Sequence, residues 1–423
     1  RDKLVTGVQT CALPIFMAGA EMGNRVTRVL TGVVLARCLT TFEFGLIALV
    51  LTTYELVRML IHNGVGARIM QADDAELDEV CATVHRMNWA VGVVMCALQA
   101  ALAWPIAHYF DADVALLLVS LSVVHLVYPV ALVRSCVAWR DQRMTLTAGL
   151  TFFQISLDNV LTAAMALMGY GVWAAVAPKI VVAILWTIIV LLTVDPRPRA
   201  KITRAKLWDV IAYSRRVLGA ESLNTFRANA DKMIVGKFLG MEANGIFWFA
   251  ANNGSGIATG LSTAIGQAVL PYLARGEIAA ADLERRFWNS VRAMSFVIMP
   301  IILLQVILAP WYVPLIFGEK WLPAVPALML MCLGALSRPI VVATSQLLRA
   351  VGAVDLEWRI AKYNAVLFVL ALVAGLPFGV VGVAAALAVV NIIPAMIFAR
   401  AALERASADR AAAPSSNLAE AAA

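Results

Sequence analysis

The 423-residue chain is 61% hydrophobic and only 14% charged, and its mean hydropathy is +0.82. This composition excludes a disordered chain and an ordinary soluble fold, and it predicts a membrane protein. The 34 Lys and Arg against 27 Asp and Glu leave a net charge of +7. We attribute this excess to membrane topology and expect no nucleic-acid partner.

Residues 1–15 are set apart from the rest of the chain. The run VTGVQTCALPI, from Val5 to Ile15, matches nothing that follows and resembles translated sequencing adapter. We therefore treat residues 1–15 as non-native, exclude them from the fold, and expect the native N-terminus to be missing.

Apolar runs bounded by charged residues or by Pro and Gly predict about twelve membrane-spanning helices, since one crossing needs about 20 apolar residues. The first six lie near Met17 to Leu39, Phe44 to Val65, Trp89 to Ala107, Val114 to Val133, Leu146 to Met168 and Val172 to Thr193. The second six lie near Leu207 to Gly236, Gly245 to Tyr272, Phe287 to Ala309, Leu322 to Leu348, Ala361 to Leu376 and Val380 to Ala399. The predicted fold is an all-α, polytopic membrane protein.

The distribution of basic residues predicts how these helices are oriented. If the N-terminus is cytoplasmic, nineteen Lys and Arg fall on inner connections and helix ends, against three on outer ones (Arg37, Lys237 and Lys320). Cytoplasmic loops carry the excess of Lys and Arg, so we expect both termini to be cytoplasmic. The same inner residues are expected to attract anionic membrane lipids.

Weak internal similarity predicts two halves. A shift of 200 residues aligns Gly45 with Gly245, and the string Gly-Val-x-Ala-Ala at Gly171 recurs at Gly382. We predict two pseudo-symmetric six-helix bundles around a central cleft, as is typical of secondary transporters. The bundles comprise residues 16–194 and 207–400, with a cytoplasmic linker at 195–206 and a disordered cytoplasmic tail at 401–423.

Charged side chains inside the predicted spans mark the candidate site, because such residues are costly in hydrocarbon and usually line a cavity. The candidate cations are Arg25, Arg28, Arg58, Lys179, Arg227, Lys232 and Arg338. The candidate ion-coupling carboxylates are Asp158, Glu221 and Asp231.

Each candidate has a structural alternative. Arg58 follows Glu55 at i,i+3 and Arg227 precedes Asp231 at i,i+4, so these pairs could simply neutralise one another. Lys179 and Arg338 each adjoin a proline, whose freed carbonyl could satisfy them.

Two candidates stand out by the absence of a nearby partner. Arg28 has no acidic residue one helical turn away, so no residue on its own helix neutralises it. Asp158 is the lone carboxylate of the fifth span, and we expect it to be unpaired, which suits proton coupling. Its alternative is a neutral hydrogen bond between helices.

The eighth span contains the run Asn252-Asn253-Gly254-Ser255-Gly256, which predicts either a discontinuous helix or close packing of small residues.

Two stretches of the chain resemble the polysaccharide-type (Wzx-like) flippases of the multidrug/oligosaccharidyl-lipid/polysaccharide exporter superfamily. Val34 to Met70 is similar to their first helix, outer turn and second helix. Asp231 to Tyr272 is similar to their second-half signature, with the Lys-Phe-Leu-Gly turn at Lys237 and an aliphatic-Pro step at Pro271. The resemblance spans about Arg25 to Arg400.

This resemblance implies a carrier of undecaprenyl-diphosphate-linked oligosaccharide across the bacterial inner membrane by alternating access, for O-antigen or other surface polysaccharide. It also implies a cationic cleft for the diphosphate, with Arg28 as the strongest candidate contact. A polysaccharide polymerase and glycosyltransferases are the implied partners. A multidrug exporter of the same superfamily would need an acidic cleft. A glycan polymerase or ligase would need a large outer loop, and a membrane scaffold would need no charged cleft.

Motifs of catalysis are missing from the sequence. No GxxxxGK[ST], GxSxG or HExxH motif occurs, and the six cysteines form no CxxC pair. We therefore expect neither an enzyme nor a metal or cofactor site.

Overall fold

The computed structural model describes residues 23–62, 66–141, 143–195, 203, 207–208, 211, 225, 229–274 and 280–412. Across these residues the regular structure is helical, without strands. Eight of the described segments are long and apolar enough to cross a membrane. The predicted all-α, multi-span class is thereby confirmed, and the count of twelve helices stays a prediction.

The chain divides into two compact units between Gly245 and Ile246. The helices of the first unit are α1 (23–38), α2 (Thr41–His62), α3 (Gly66–Gln71), α4 (Leu77–Tyr109), α5 (Asp113–Ser122), α6 (Val124–Arg140), α7 (Met144–Leu167), α8 (Trp173–Thr193) and α9 (229–239). Helix α10 (Met241–Ala274) begins in this unit and continues in the second. The second unit also holds α11 (Ala280–Phe317), α12 (Val325–Ala335), α13 (Arg338–Ala350), α14 (Val354–Gly375) and α15 (Gly379–Ala412).

Each unit is built around its own packed helices. In the first unit, α4 packs on α5 and α6, and α8 packs on α6 and α7. Its largest core cluster joins Leu49 of α2, Leu118 and Leu121 of α5 and Val176 of α8, all fully buried. In the second unit, α15 packs on α12, α13 and α14.

Two predicted spans are each broken into two helices. The fourth span is interrupted at Val123, between α5 and α6, and the tenth is interrupted at Leu336 and Ser337, between α12 and α13. Both are the fourth span of their predicted half. This correspondence agrees with the internal repeat predicted from the sequence.

Helix α2 crosses the first turn of α10 at very short range. A Cβ added to Gly45 would lie 1.9 Å from the Met241 carbonyl oxygen, and one added to Gly245 would lie 1.9 Å from the Thr41 carbonyl oxygen. The buried Asn244 side chain donates to the Gly45 carbonyl oxygen at 3.2 Å. Two glycines that the 200-residue shift aligns are therefore in direct contact. This contact explains why the start of α10 belongs to the first unit.

Two arginines of the first unit close the C-terminal ends of helices. Arg134 Nη1 donates to the carbonyl oxygens of Leu191 and Val194 at the end of α8, at 2.9 and 3.0 Å. Arg140 donates to the carbonyl oxygens of Ile69 and Ala72 at the end of α3. These contacts satisfy carbonyls that lack a helical partner and place positive charge at the negative end of the helix dipole.

Two expectations about helix continuity differ from the structure. Helix α10 runs without a break through the Asn-Gly run, and its polar side chains donate to carbonyls one turn back, as Asn253 does to Phe249. Gly254 instead allows close packing, since a Cβ there would lie 2.9 Å from the Leu328 carbonyl oxygen. Helix α15 continues to Ala412, well beyond residue 401, where we predicted the disordered tail to begin.

Candidate functional site

Polar side chains of α1 hydrogen bond to α7 along one seam. Thr31 Oγ1 donates to the Asn159 carbonyl oxygen at 2.9 Å, and Asn159 Nδ2 donates to Thr27 Oγ1 at 3.1 Å. Ser156 Oγ donates to Asn24 Oδ1 at 3.2 Å. Because Asn24, Thr27 and Thr31 share one face of α1, these bonds fix the rotation of the helix about its axis.

The seam determines where the two arginines of α1 point. At about 100° per residue, Arg28 lies at the edge of the helix face that forms the seam. Arg25 lies about 60° further round the helix, away from the seam. Both side chains are exposed. Within the described part of the chain, Arg28 forms no ion pair with a carboxylate.

Asp158 on α7 and Lys179 on α8 form an ion pair. Lys179 Nζ lies 2.9 Å from Asp158 Oδ2, and about a quarter of each side chain is exposed (25% for Asp158 and 28% for Lys179). The expectation of an unpaired Asp158 was therefore wrong, because its partner is distant in sequence and lies on the next helix. The second carboxylate oxygen, Oδ1, is buried and has no hydrogen-bond partner.

Arg58 on α2 also has a carboxylate neighbour. Its Nε lies 3.5 Å from Glu55 Oε2, and its guanidinium lies 5.9 Å from the centre of the Tyr54 ring. The pairing that the i,i+3 spacing allowed is thus present. Tyr128 of α6 lies within electrostatic range of both Arg58 and Asp158.

Uncharged polar side chains of α4, α6 and α7 also form hydrogen bonds with one another. Gln154 donates to Tyr128 Oη at 2.6 Å, and the His125 ring nitrogen Nε2 lies 2.7 Å from Gln99 Oε1. The His125 ring also stacks on Tyr54, with the ring centres 5.3 Å apart. We refer to Tyr54, Glu55, Arg58, Gln99, His125, Tyr128, Gln154, Asp158 and Lys179 as the polar cluster of the first unit.

The formal charges of the polar cluster cancel, with His125 neutral. Glu55 offsets Arg58 and Asp158 offsets Lys179, so the cluster itself has no net charge. Arg28 on α1 differs, because no carboxylate of the described residues offsets its charge. Among the described candidates, Arg28 is therefore the cation best able to accept an external anion.

Two candidate residues of α9 lie within the described residues. Lys232 Nζ donates to Asn229 Oδ1 at 2.9 Å. Asp231 is buried, and its Oδ1 accepts the backbone N–H of Lys232 at 2.9 Å. Arg227 and Glu221 lie outside the described residues.

A cavity of about 230 Å³ in the first unit is apolar in character. Its lining includes Leu56 of α2, Ile106 of α4 and Met233 of α9. None of the predicted cations or carboxylates lines it. This cavity is therefore separate from the candidate site.

Comparison with known proteins identifies the family. Residues 34–326 match the family described as "Polysaccharide biosynthesis protein". The chain belongs to this family. The lipopolysaccharide biosynthesis protein WzxC of Escherichia coli (strain K12) is 24% identical to it over 394 residues, which cover 89% of this chain and 78% of that protein.

Solved structures with the same fold include two transporters. The lipid II flippase MurJ, in an inward closed conformation, matches with a TM-score of 0.77 at 12% identity. The match covers 94% of this chain and 90% of the MurJ chain. An inward-facing multidrug resistance transporter of the MATE family matches with a TM-score of 0.71 at 14% identity. That match covers 95% of this chain and 99% of the transporter chain. At these identities the likeness shows the fold of this polysaccharide biosynthesis protein.

In this polysaccharide biosynthesis protein, Arg338 lies in the second unit. It is the first residue of α13, and it is half-buried. Pro339 occupies the first turn of α13, where its missing N–H breaks no helical hydrogen bond.

Four polar residues of the cluster in this family member are not marked by intramembrane charge. Gln99, His125, Tyr128 and Gln154 are uncharged, so the charge pattern of the predicted spans does not indicate them. Their signal was present, because each interrupts an apolar run inside a predicted span. Buried polar groups in hydrocarbon require partners, so such residues predict contact with one another.

Proposed function

We propose that this protein carries a lipid-linked oligosaccharide from the inner to the outer leaflet of the bacterial inner membrane, for the synthesis of a surface polysaccharide such as O-antigen. Membership of the polysaccharide biosynthesis family supports a role in that pathway. The similarity to WzxC, a lipopolysaccharide biosynthesis protein, and the fold shared with the lipid II flippase MurJ support the same class of cargo.

The observation that carries the proposal is the exposed Arg28 beside the α1–α7 seam, which pairs with no carboxylate among the residues that the structure describes. A diphosphate headgroup with its sugars cannot enter hydrocarbon without compensating charge and hydrogen bonds. A guanidinium donates two parallel hydrogen bonds to phosphate oxygens. We assign the first contact with the diphosphate to Arg28, with Arg25 as its neighbour on the same helix.

The remaining predicted cations have a second role in this proposal. Arg58 and Lys179 are held by carboxylates, so they become available to the cargo only when those carboxylates are neutralised. We keep Asp158 as a proposed ion-coupling residue, because its Oδ2 holds Lys179 and its buried Oδ1 has no hydrogen-bond partner within the described part of the chain. Ion binding at Asp158 would then be coupled to the release of Lys179 to the cargo. Arg227, Lys232 and Arg338 remain further candidates for cargo contact, and Glu221 and Asp231 for ion coupling.

Transport is proposed to occur by alternating access of the two sequence-related halves. Moving negative charge outward through an inside-negative potential releases about 2.3 kcal/mol per charge at 100 mV. The charge asymmetry of the connections supports cytoplasmic termini. Glycosyltransferases that build the cargo and a polymerase that consumes it are the proposed partners.

A multidrug exporter is disfavoured by the charge of the candidate site. Cationic drugs would need surplus negative charge, whereas both carboxylates of the polar cluster are offset by cations. Among the described candidate residues, Arg28 of α1 carries a positive charge that no described carboxylate offsets.

Complementation tests the proposal. In a bacterial strain that lacks its lipid-linked oligosaccharide flippase, we expect the intact chain to return surface polysaccharide. Arg28→Ala is expected to lower transport by about tenfold to a hundredfold, the value of one charged hydrogen-bonding contact. Surface polysaccharide per cell, corrected for membrane protein level, is the measurement.

The matched controls are Arg28→Lys and Arg86→Ala. Lysine keeps the charge but loses the bidentate geometry, so intermediate transport is expected. Arg86 is an exposed arginine of α4 outside the candidate site, and its loss should leave transport within about twofold of wild type. Full transport by Arg28→Ala would reject Arg28 as the diphosphate contact, and failure of the intact chain with every glycan tested would reject the function.

A further inference from the structure

A second basic site lies in the second unit, at the turn between α13 and α14. A cavity of about 200 Å³ there is lined by Arg359 of α14 and Arg405 of α15, together with Asp355 and the backbone around Gly352. Both arginines are exposed. The two arginines and the single carboxylate give the cavity a formal charge of +1.

The cavity adjoins the N-terminus of α14, a helix of 22 residues. The first N–H groups of a helix lack helical partners and carry partial positive charge. Gly352, in the turn before the helix, has a φ of +74°, a left-handed conformation that glycine adopts without strain. The charge and the helix end together favour an anion.

An exposed apolar stripe leads away from this cavity along α14. Tyr363, Val366, Leu370 and Val373 lie 4, 7, 11 and 14 residues after Arg359 and therefore share its face of the helix. All four are more than half exposed. From Arg359 to Val373 the stripe is about 21 Å long, more than the roughly 15 Å of one hydrocarbon leaflet.

The end of the stripe near Arg359 carries an aromatic and a basic side chain. Close to Arg359, Trp358 is partly exposed and Lys362 Nζ lies 5.0 Å from the centre of its ring. Trp and Lys at the end of a spanning helix are typical of the headgroup region. The excess of basic residues at this end of α14 and α15 favours the cytoplasmic side.

We propose that this cavity and stripe form a binding site for an anionic phospholipid of the cytoplasmic leaflet. The phosphodiester occupies the cavity between Arg359 and Arg405, and an acyl chain lies along the stripe of α14. The single negative charge of a phosphatidylglycerol-type headgroup matches the formal charge of the cavity. A diphosphate would be only partly compensated there, so the site is separate from the one proposed for the cargo.

Native mass spectrometry of the purified full chain tests this site. Phosphatidylglycerol and phosphatidylcholine with identical acyl chains are added, and the retained lipid is counted. We expect about fivefold stronger retention of phosphatidylglycerol and a loss of about fivefold in Arg359→Gln and in Arg405→Gln, as one basic contact implies. The control is Arg400→Gln, an exposed arginine of α15 outside the cavity, which should change retention by less than twofold.

Competition separates the possible occupants. Inorganic phosphate at millimolar concentration should leave phosphatidylglycerol bound, whereas displacement would reject a lipid site in favour of a free anion. Undecaprenyl diphosphate should compete no better than phosphatidylglycerol, and stronger competition would assign the cavity to the carrier lipid instead.

The comparisons among variants and lipids also decide the proposal. Equal retention by Arg359→Gln and Arg400→Gln would overturn it. If both cavity variants fail to fold, the lipid preference of the wild-type chain decides, and equal retention of the two lipids rejects the site. Because no transport is measured, a negative result leaves the proposed function untouched.

Discussion

Arg28, Arg58 and Lys179 are three cations of the first unit with different partners. Arg58 is offset by a carboxylate on its own helix and Lys179 by one on the neighbouring helix, at 2.9 Å. No carboxylate pairs with Arg28 in the described part of the chain. Pairing therefore decides which of several similar side chains remains available to an anion.

The ion pair of Lys179 and Asp158 predicts a stability effect. Lys179→Met removes the partner of a largely buried carboxylate and should lower the free energy of unfolding by about 1–3 kcal/mol. The value lies below that of a fully buried pair because part of each side chain meets solvent. Thermal unfolding of the purified protein in detergent measures the change.

The matched variant is the double substitution Asp158→Asn with Lys179→Met. It leaves no uncompensated charge, so the double variant should recover at least half of the stability lost in Lys179→Met. Additive losses from the two substitutions would show that the two side chains do not stabilise one another.

At the scale of elements, the crossing of α2 and α10 depends on two glycines. Each carries its backbone so close to the other helix that a Cβ would overlap a carbonyl oxygen. Small residues let membrane helices approach in this way. The sequence shift of 200 residues that aligned Gly45 with Gly245 therefore marks a contact as well as a repeat.

Alanine at either glycine tests the crossing. Gly45→Ala or Gly245→Ala should lower the free energy of unfolding by about 1–3 kcal/mol, because the neighbouring backbone has to move. Thermal unfolding and the yield of folded protein are the measurements.

Gly256→Ala is the control on the same helix. No atom lies within 4 Å of a Cβ at Gly256, so alanine should be neutral or should stabilise α10 by about 0.5–1 kcal/mol. Equal effects of alanine at Gly245 and Gly256 would contradict the close crossing.

At the scale of the whole molecule, the distribution of basic residues orients the chain in the membrane. Some inner arginines also have structural partners, since Arg134 and Arg140 bind the carbonyl ends of α8 and α3. The same side chains thus serve topology and packing. Orientation itself is a prediction from charge.

Labelling of single cysteines tests the orientation. In a chain whose other cysteines are replaced by serine, exposed Cys38, next to the predicted outer turn, should react with a membrane-impermeant maleimide in intact cells. In a cysteine-free chain, Glu404→Cys, exposed near the end of α15, should react only after permeabilisation. The reverse labelling pattern would show that the topology is inverted. Labelling of both Cys38 and Glu404→Cys in intact cells would contradict the odd number of membrane crossings predicted between these two positions.

The sequence by itself determined the class of the protein and the approximate positions of its helices. Apolar runs of about 20 residues are a local property, and they need no knowledge of neighbours. Spacing within one helix likewise predicted the pairing of Arg58 with Glu55. The resemblance of two stretches indicated the family, which the match of residues 34–326 confirmed.

Only the tertiary structure decided which helices share partners. Asp158 of α7 pairs with Lys179 of α8, and Asn159 and Ser156 hydrogen bond to α1 and fix its rotation. Gly45 of α2 contacts the first turn of α10. Each contact joins residues far apart in the chain, whose distance depends on how the helices pack. Periodicity along one helix carries no information about the rotation of its neighbour, so the availability of Arg28 could only be read from the folded chain.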